Sequence, residues 1–267
     1  MDKLAFKNDL GILSLPRYIK WKMAYKEADK GNLHSWGSVV FCGPQGSGKT
    51  LSAVQYAEKV FSFSPRAFLV TNVDLKTYPV NAYMDEEANV RYIITKEKVD
   101  LLYLINHFND DGFIKPVLQY EGLDMLTTLK NGMNGVIYLI DEFHLELNSL
   151  ESKNIPIEIM TEISQQRKQR VHIIGTSQVF MRLAKPLREQ IFNVVMCKCY
   201  FNCFQINKMC MGEEIEEKDG KVVADVKAVS FWFHKPEYYE EYDTFAKMKR
   251  YTTLWKNSKG GLNSIYG

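Results

Sequence analysis

From residue 38 onward, apolar positions come in short runs separated by longer mixed stretches. The runs Ser38–Cys42, Ala67–Thr71, Val90–Ile94, Val136–Ile140, His172–Thr176 and Asn193–Tyr200 are strand-length and rich in β-branched and aromatic residues. The stretches Lys49–Phe61, Lys98–Phe108, Leu123–Lys130 and Ile155–Arg170 read as helices. Strands buried on both faces lose the apolar–polar alternation of a half-exposed sheet. The pattern therefore predicts an α/β fold with a mainly parallel central sheet flanked by helices. Lys198–Met209 and Val222–His234 are dense in β formers and flank Asp219-Gly220, a hairpin-turn pair, so a C-terminal antiparallel β-ribbon is expected. Before residue 38, turn signals at Gly11, Pro16 and Gly31 surround one candidate helix, Arg17–Lys30. It sets Tyr18, Trp21, Met23 and Tyr25 beside Lys20, Lys22 and Lys26; packing on the main domain is favoured over a nucleic-acid or partner contact. The expected organisation is an N-terminal helical extension over 1–36, one main domain over 37–255 and a flexible tail over 256–267.

Two motifs carry chemistry. Gly43-Pro44-Gln45-Gly46-Ser47-Gly48-Lys49-Thr50 matches G-x-x-x-x-G-K-[ST] in full, between a predicted strand and a predicted helix. Glycines let the backbone curl so that its N–H groups, together with the helix start through Leu51, face phosphate oxygens. Lys49 is placed for the β/γ-phosphates and the Thr50 hydroxyl for Mg²⁺. The run Ile137-Tyr138-Leu139-Ile140 then delivers Asp141-Glu142 at a strand's C-terminal end, where α/β ligands bind. Asp141 is the expected Mg²⁺ ligand and Glu142 the general base for the attacking water. The chain thus reads as a P-loop NTPase. A carboxylate directly after the Mg²⁺ aspartate favours an ATPase over a switch GTPase or small-molecule kinase. The absence of an Asn/Thr-Lys-x-Asp motif favours ATP over GTP.

The strand after the Gln/Arg-rich stretch 165–170 ends in Ser177-Gln178, which makes Gln178 the candidate γ-phosphate sensor. Arg167, Arg170, Arg182 and Arg188 surround that strand. Arg170, then Arg167, then Arg188 are the candidates for an arginine finger acting in a neighbouring subunit, and the same basic stretch also suits phosphate backbone.

Composition changes this picture little. The 267 residues are 46% hydrophobic and 25% charged with a net charge of +2, enough for one large core and neutral on nucleic-acid binding. No secretory signal opens the chain and no apolar run approaches the ~18 residues a membrane-spanning helix needs, so a soluble cytoplasmic protein with reduced thiols is expected. Cys197, Cys199, Cys203 and Cys210 lack a Cys-x₂-Cys knuckle, and ordinary thiols in the ribbon are favoured over zinc. His144, just after the acidic pair, reads as a polar residue at a helix start. Phe231-Trp232-Phe233-His234, with Tyr238, Tyr239 and Tyr242, reads as strand and core packing rather than a base-stacking surface.

The route from Asp141-Glu142 through the Gln/Arg-rich stretch to Ile173-Ile174-Gly175-Thr176-Ser177-Gln178 resembles the FtsK–HerA superfamily of DNA-pumping ATPases. Leu69-Val70-Thr71-Asn72, Leu187-Arg188-Glu189-Gln190 and Tyr242-Asp243-Thr244 resemble, more narrowly, viral genome-packaging ATPases and zonula-occludens-toxin-like phage assembly ATPases. The resemblance implies a homo-oligomeric ring that hydrolyses ATP with Mg²⁺ to move DNA, docked by a capsid-vertex or membrane partner. The extrusion branch usually carries a transmembrane helix; lacking such a stretch, this chain fits genome packaging better than membrane-associated assembly. A nucleotide-dependent interaction protein that translocates nothing is the alternative of another class.

Overall fold

The computed structural model describes residues 15–29, 32–34, 37–94, 97–100, 115–147, 149, 155–218 and 221–242. Elements follow in the order α1 (Leu15–Ala28), β1 (Ser38–Cys42), α2 (Lys49–Phe63), β2 (Phe68–Thr71), β3 (Ala82–Met84), β4 (Val90–Ile94), β5 (Glu97–Asp100), β6 (Val117–Gln119) and α3 (Met125–Thr128). Then come β7 (Val136–Ile140), α4 (Ile157–Gln165), β8 (Val171–Ser177), α5 (Lys185–Arg188), β9 (Ile191–Tyr200), β10 (Phe204–Met211), β11 (Glu216–Lys218), β12 (Lys221–Val223), β13 (Val226–Phe233) and α6 (Pro236–Glu240).

Among the described residues, eleven strands form one sheet in the order β13-β10-β9-β1-β8-β7-β2-β6-β3-β4-β5. From β9 to β3 every pairing is parallel. Both flanks are antiparallel, β9-β10-β13 on one side and β3-β4-β5 on the other. The heart is buried on both faces, which is why its strands read as unbroken apolar runs. In β7, Val136, Tyr138 and Ile140 share a core with Met125 and Leu126 of α3 and Ile159 and Ile163 of α4. Ile137 and Leu139 face Ala53, Val54, Ala57 and Phe61 of α2. Each such large side chain taken out of water contributes roughly 1.5–3 kcal/mol. The expected α/β sheet with a C-terminal antiparallel ribbon is therefore present.

Several local expectations need correction. Glu97–Asp100 is a strand paired antiparallel with β4, not the start of a helix over 98–108, because Ile94 and Glu97 face each other across a short hairpin. Residues 101–108 lie outside the described residues. The helix expected over 155–170 stops at Gln165, since the chain must reverse into β8: Val171 N–H donates to Gln166 O at 2.8 Å and Arg170 adopts φ 55°. Asp219-Gly220 lies outside the described residues, but β11 and β12 on either side pair antiparallel with Lys218 opposite Lys221. The tail 256–267 also lies outside them. Helix α1 does not bury its aromatic face on the main domain: Tyr18, Ile19, Trp21, Met23 and Tyr25 are all exposed, and contact with the domain is made near its C-terminal end, through Tyr25. Nor do Phe231 and Phe233 enter the core; both are exposed on β13, against Phe204.

Candidate nucleotide site

Parallel strands share a direction, so β1, β8, β7 and β2 bring Cys42, Ser177, Ile140 and Thr71 to one edge and launch their loops from it. The phosphate loop leaves β1 with Gly43 N–H donating to Ser177 O at 3.2 Å. Gly43 cannot carry a side chain: a Cβ would lie 2.4 Å from Ser47 Oγ and 2.8 Å from Cys197 O. Gly48, at φ 74°, needs the left-handed region, and a Cβ there would lie 2.1 Å from Gln205 Oε1. Directly after it α2 begins, so its free N–H groups and dipole point into the loop. Ser47 Oγ is buried with no hydrogen-bond partner among the described residues, as suits an oxygen facing a ligand.

Lys49 and Asp141 are buried. Thr50 Oγ1 donates to Asp141 Oδ1 at 3.1 Å although the two residues are 91 positions apart. A hydroxyl and a carboxylate side by side form a hard oxygen set suited to Mg²⁺. Lys49 Nζ lies 3.7 Å from Glu142 Oε1. Glu142 stands at φ 54°, ψ 45°, a left-handed conformation that costs a non-glycine residue on the order of 1–3 kcal/mol. That backbone is held from outside, since Glu142 N–H donates to Thr176 Oγ1 at 2.8 Å.

The fold is a P-loop NTPase fold. The phosphate-loop strand β1 and the acid-bearing strand β7 are parallel and separated by one strand, β8, whose Thr176 bonds the acidic pair. No protein-family model matches the chain, and no curated protein does either. Similar solved structures include the N-terminal domain of zonular occludens toxin from Neisseria meningitidis, 18% identical with a TM-score of 0.49, covering 78% of this chain and 98% of that one. The genome packaging NTPase B204 of Sulfolobus turreted icosahedral virus 2 is 12% identical with a TM-score of 0.46, covering 77% and 98%. The DNA-packaging ATPase B204 of Sulfolobus turreted icosahedral virus is 12% identical with a TM-score of 0.44, covering 76% and 99%.

Several further residues complete the site in ways the sequence assigned to none of them. Asn72, just past β2, clamps the backbone of Asp141 from both sides: its Nδ2 donates to Asp141 O at 3.0 Å and its Oδ1 accepts from Asp141 N–H at 2.8 Å. Thr176 donates its hydroxyl to Asp141 Oδ1. His144 is more than a polar residue at a helix start, because its Nδ1 lies 3.3 Å from Glu142 Oε2. Burial pushes the Tyr242 phenol up to about 12, helped by the negative charge of Asp141. Asp243-Thr244 lies outside the described residues. On the ribbon, fully buried Gln205 donates to Ser47 O at 3.0 Å and to Asn207 Oδ1 at 2.7 Å, and its Oε1 lies 3.2 Å from His234 Nε2. The ribbon thus braces the phosphate loop.

Gln178 is exposed one residue beyond β8, at the same edge as the phosphate loop, with Arg182 Nη1 3.4 Å from its Oε1. The candidate arginines stand at different places. Arg170 precedes β8 at the opposite edge of the sheet, where its guanidinium pairs with Asp29 at 2.8 Å and donates to Leu33 O and Tyr25 Oη, both at 3.1 Å. Within this chain the Arg170 guanidinium is thus committed to three partners. Arg167 lies at that same edge, and Arg188 donates to Met181 Sδ. Of the four, Arg182 alone contacts the Gln178 candidate. Among the described residues no group of His, Cys, Asp and Glu could hold a further metal, and no helix is long and apolar enough to cross a membrane.

Proposed function

We propose that this protein binds ATP with Mg²⁺ and hydrolyses it to ADP and phosphate. The observation that carries the reading is the convergence of Lys49, Thr50, Asp141 and Glu142, from α2 and β7, at one edge of the sheet. Backbone N–H groups of residues 43–50 and the start of α2 bind the phosphates, and Lys49 neutralises their charge. Thr50 and Asp141 hold Mg²⁺, which when bound offsets charge on the phosphate oxygens. Glu142 accepts a proton from the attacking water, and the resulting hydroxide displaces ADP from the γ-phosphoryl group. Thr176 holds the Asp141 carboxylate and the Glu142 N–H, and Asn72 holds the Asp141 backbone.

The motif resemblance extends this to movement of DNA by a ring of subunits, in the manner of viral genome packaging. Among the similar structures, B204 is named a genome packaging NTPase, which agrees with that extension without carrying it. The test is steady-state phosphate release by the purified chain with no DNA, single strands or duplex. Stimulation by either DNA supports the motor. Turnover indifferent to both leaves the ATPase standing and removes the DNA reading.

A further inference from the structure

At the edge of the sheet opposite the phosphate loop, α1 stands away from the core. Tyr18, Trp21 and Tyr25 recur at i, i+3 and i+7, so they share one face. Their rings form a ladder, with centroids 5.9 Å apart for Tyr18–Trp21 and 5.5 Å for Trp21–Tyr25. Each ring stays about half exposed, 51%, 58% and 45% along the ladder. Lys22 and Lys26 are exposed along the flank of the ladder, and Lys22 Nζ lies 5.8 Å from the Tyr18 ring centre.

The foot of this helix opens into a groove of about 790 Å³ whose lining includes Tyr25, His34, Arg167 and Lys168. Arg167 and Lys168 are exposed. The one carboxylate described in that lining, Asp29, is already balanced by Arg170. Ladder and groove therefore form one surface in which four exposed cations, Lys22, Lys26, Arg167 and Lys168, lie beside flat rings. Ile19 and Met23 lie away from the ladder, across Lys22 and Lys26, so α1 lacks the broad continuous apolar stripe a membrane-surface helix buries. What suits spaced cations beside open ring faces is a polyanion that carries exposed planar groups.

We propose that this surface binds single-stranded nucleic acid, with bases stacked on the α1 rings, Trp21 above all, and phosphates on Lys22, Lys26, Arg167 and Lys168. The proposal deepens the motor reading and rests on it for DNA as the cargo. Bases of a duplex are closed to such stacking, so an unpaired stretch is the fitting partner. The surface lies about 20 Å from the phosphate loop, the length of β8. Nucleic acid there leaves the nucleotide site open.

Anisotropy of a fluorescent oligothymidylate titrated with the full chain at two salt concentrations tests this. Trp21→Ala should weaken binding about tenfold or more, with Trp21→Phe restoring most of it. Lys22→Ala/Lys26→Ala should flatten the slope of log affinity against log salt by about 1.4, two phosphates' share. ATP turnover without DNA should be unchanged in all three, which checks folding. Variants that bind like wild type overturn the surface while leaving the motor reading intact. Wild type that binds no nucleic acid overturns both. Binding restricted to duplex, or substitutions that abolish attachment to phosphatidylserine vesicles but not to oligonucleotide, also overturns it.

Discussion

At the C-terminal ends of β1, β7 and β8 the charged groups are buried and bonded to one another. At the N-terminal ends of the same strands, on α1 and beside β8, most of them stand exposed. Lys49, Thr50, Asp141, Glu142 and Thr176 hold each other at fixed distances before any ligand enters. Lys20, Lys22, Lys26, Arg167 and Lys168 are free to adjust to whatever they meet. The first arrangement suits a reaction, where a misplaced carboxylate costs rate. The second suits a flexible polymer, where affinity grows from many adaptable contacts.

The sharpest break of this contrast is Glu142→Gln. It keeps the size of the side chain and its φ 54° backbone but removes the proton acceptor. Turnover should fall by about 10²–10⁴-fold with nucleotide binding within a few-fold of wild type, measured by phosphate release and by binding of a fluorescent ATP analogue. Turnover above a tenth of wild type would move the general base elsewhere.

How much of this was legible in the sequence follows the same divide. The phosphate loop and Asp141-Glu142 are contiguous, so local pattern sufficed to find them and to place them on strand ends. Asn72 and Thr176 stand in stretches that carry the family resemblance, but their bonds to Asp141, like the reach of Gln205 to the loop, follow only from sheet order: β2 and β8 flank β7, and β10 pairs with β9 beside the loop. Gln205 and Ser47 are 158 residues apart, and no spacing rule joins them. The surroundings of Arg170 were not legible because a helix was expected to continue through it; the left-handed turn instead aims its side chain at Asp29. Aromatic residues at helical spacing usually face a core, which is why α1 was expected to be packed. Nothing local marks Glu97–Asp100 as a strand, since its pairing with β4 is a matter of the hairpin.

A pH effect of about 3 kcal/mol is next in size, and it sits in the β8 strand between the two ends. His172 is buried, with Nδ1 2.6 Å from Gly37 O and Nε2 3.2 Å from Tyr56 Oη. Burial lowers its pKa to about 4, against the partial opposition of the Gly37 hydrogen bond. Between about pH 6.5 and 4 the unfolded chain therefore holds a proton that the folded chain does not. This contribution is complete above about pH 6.5 and is lost as pH falls through that window. Urea unfolding at pH 7 and pH 4.5 should show the loss in wild type and a clearly shallower dependence in His172→Gln. Equal slopes would remove His172 as the cause.

Arg170→Ala sharpens the contrast from the other end. The substitution strips Asp29 of its main cation. Burial alone would raise the Asp29 pKa, but hydrogen bonds from Asn32 and Arg170, with the charges of Arg170 and His34, hold it below the usual carboxylate value. Stability should drop by about 2 kcal/mol, because Asp29 keeps the Asn32 donor but loses its charged hydrogen-bond partner. Turnover per folded molecule, with or without DNA, should stay within twofold. A hundredfold loss of turnover at full stability would restore Arg170 as a catalytic group acting between subunits.

The smallest effect asks whether the ribbon shares in the preorganised end. Gln205→Leu keeps most of the volume but removes the donor to Ser47 O and Asn207 Oδ1 and the acceptor facing His234. The side chains of Lys49, Asp141 and Glu142 are untouched, so chemistry once ATP is bound should proceed at the wild-type rate. The loop that receives the phosphates loses one buried anchor, worth about 1 kcal/mol. KM for ATP should rise about fivefold with kcat within twofold, and His234→Ala should produce a weaker version through the orphaned Oε1. If kcat falls while KM holds, the ribbon acts on the transition state rather than on the loop's resting shape. The antiparallel flank would then belong to the catalytic machinery and not merely to its support.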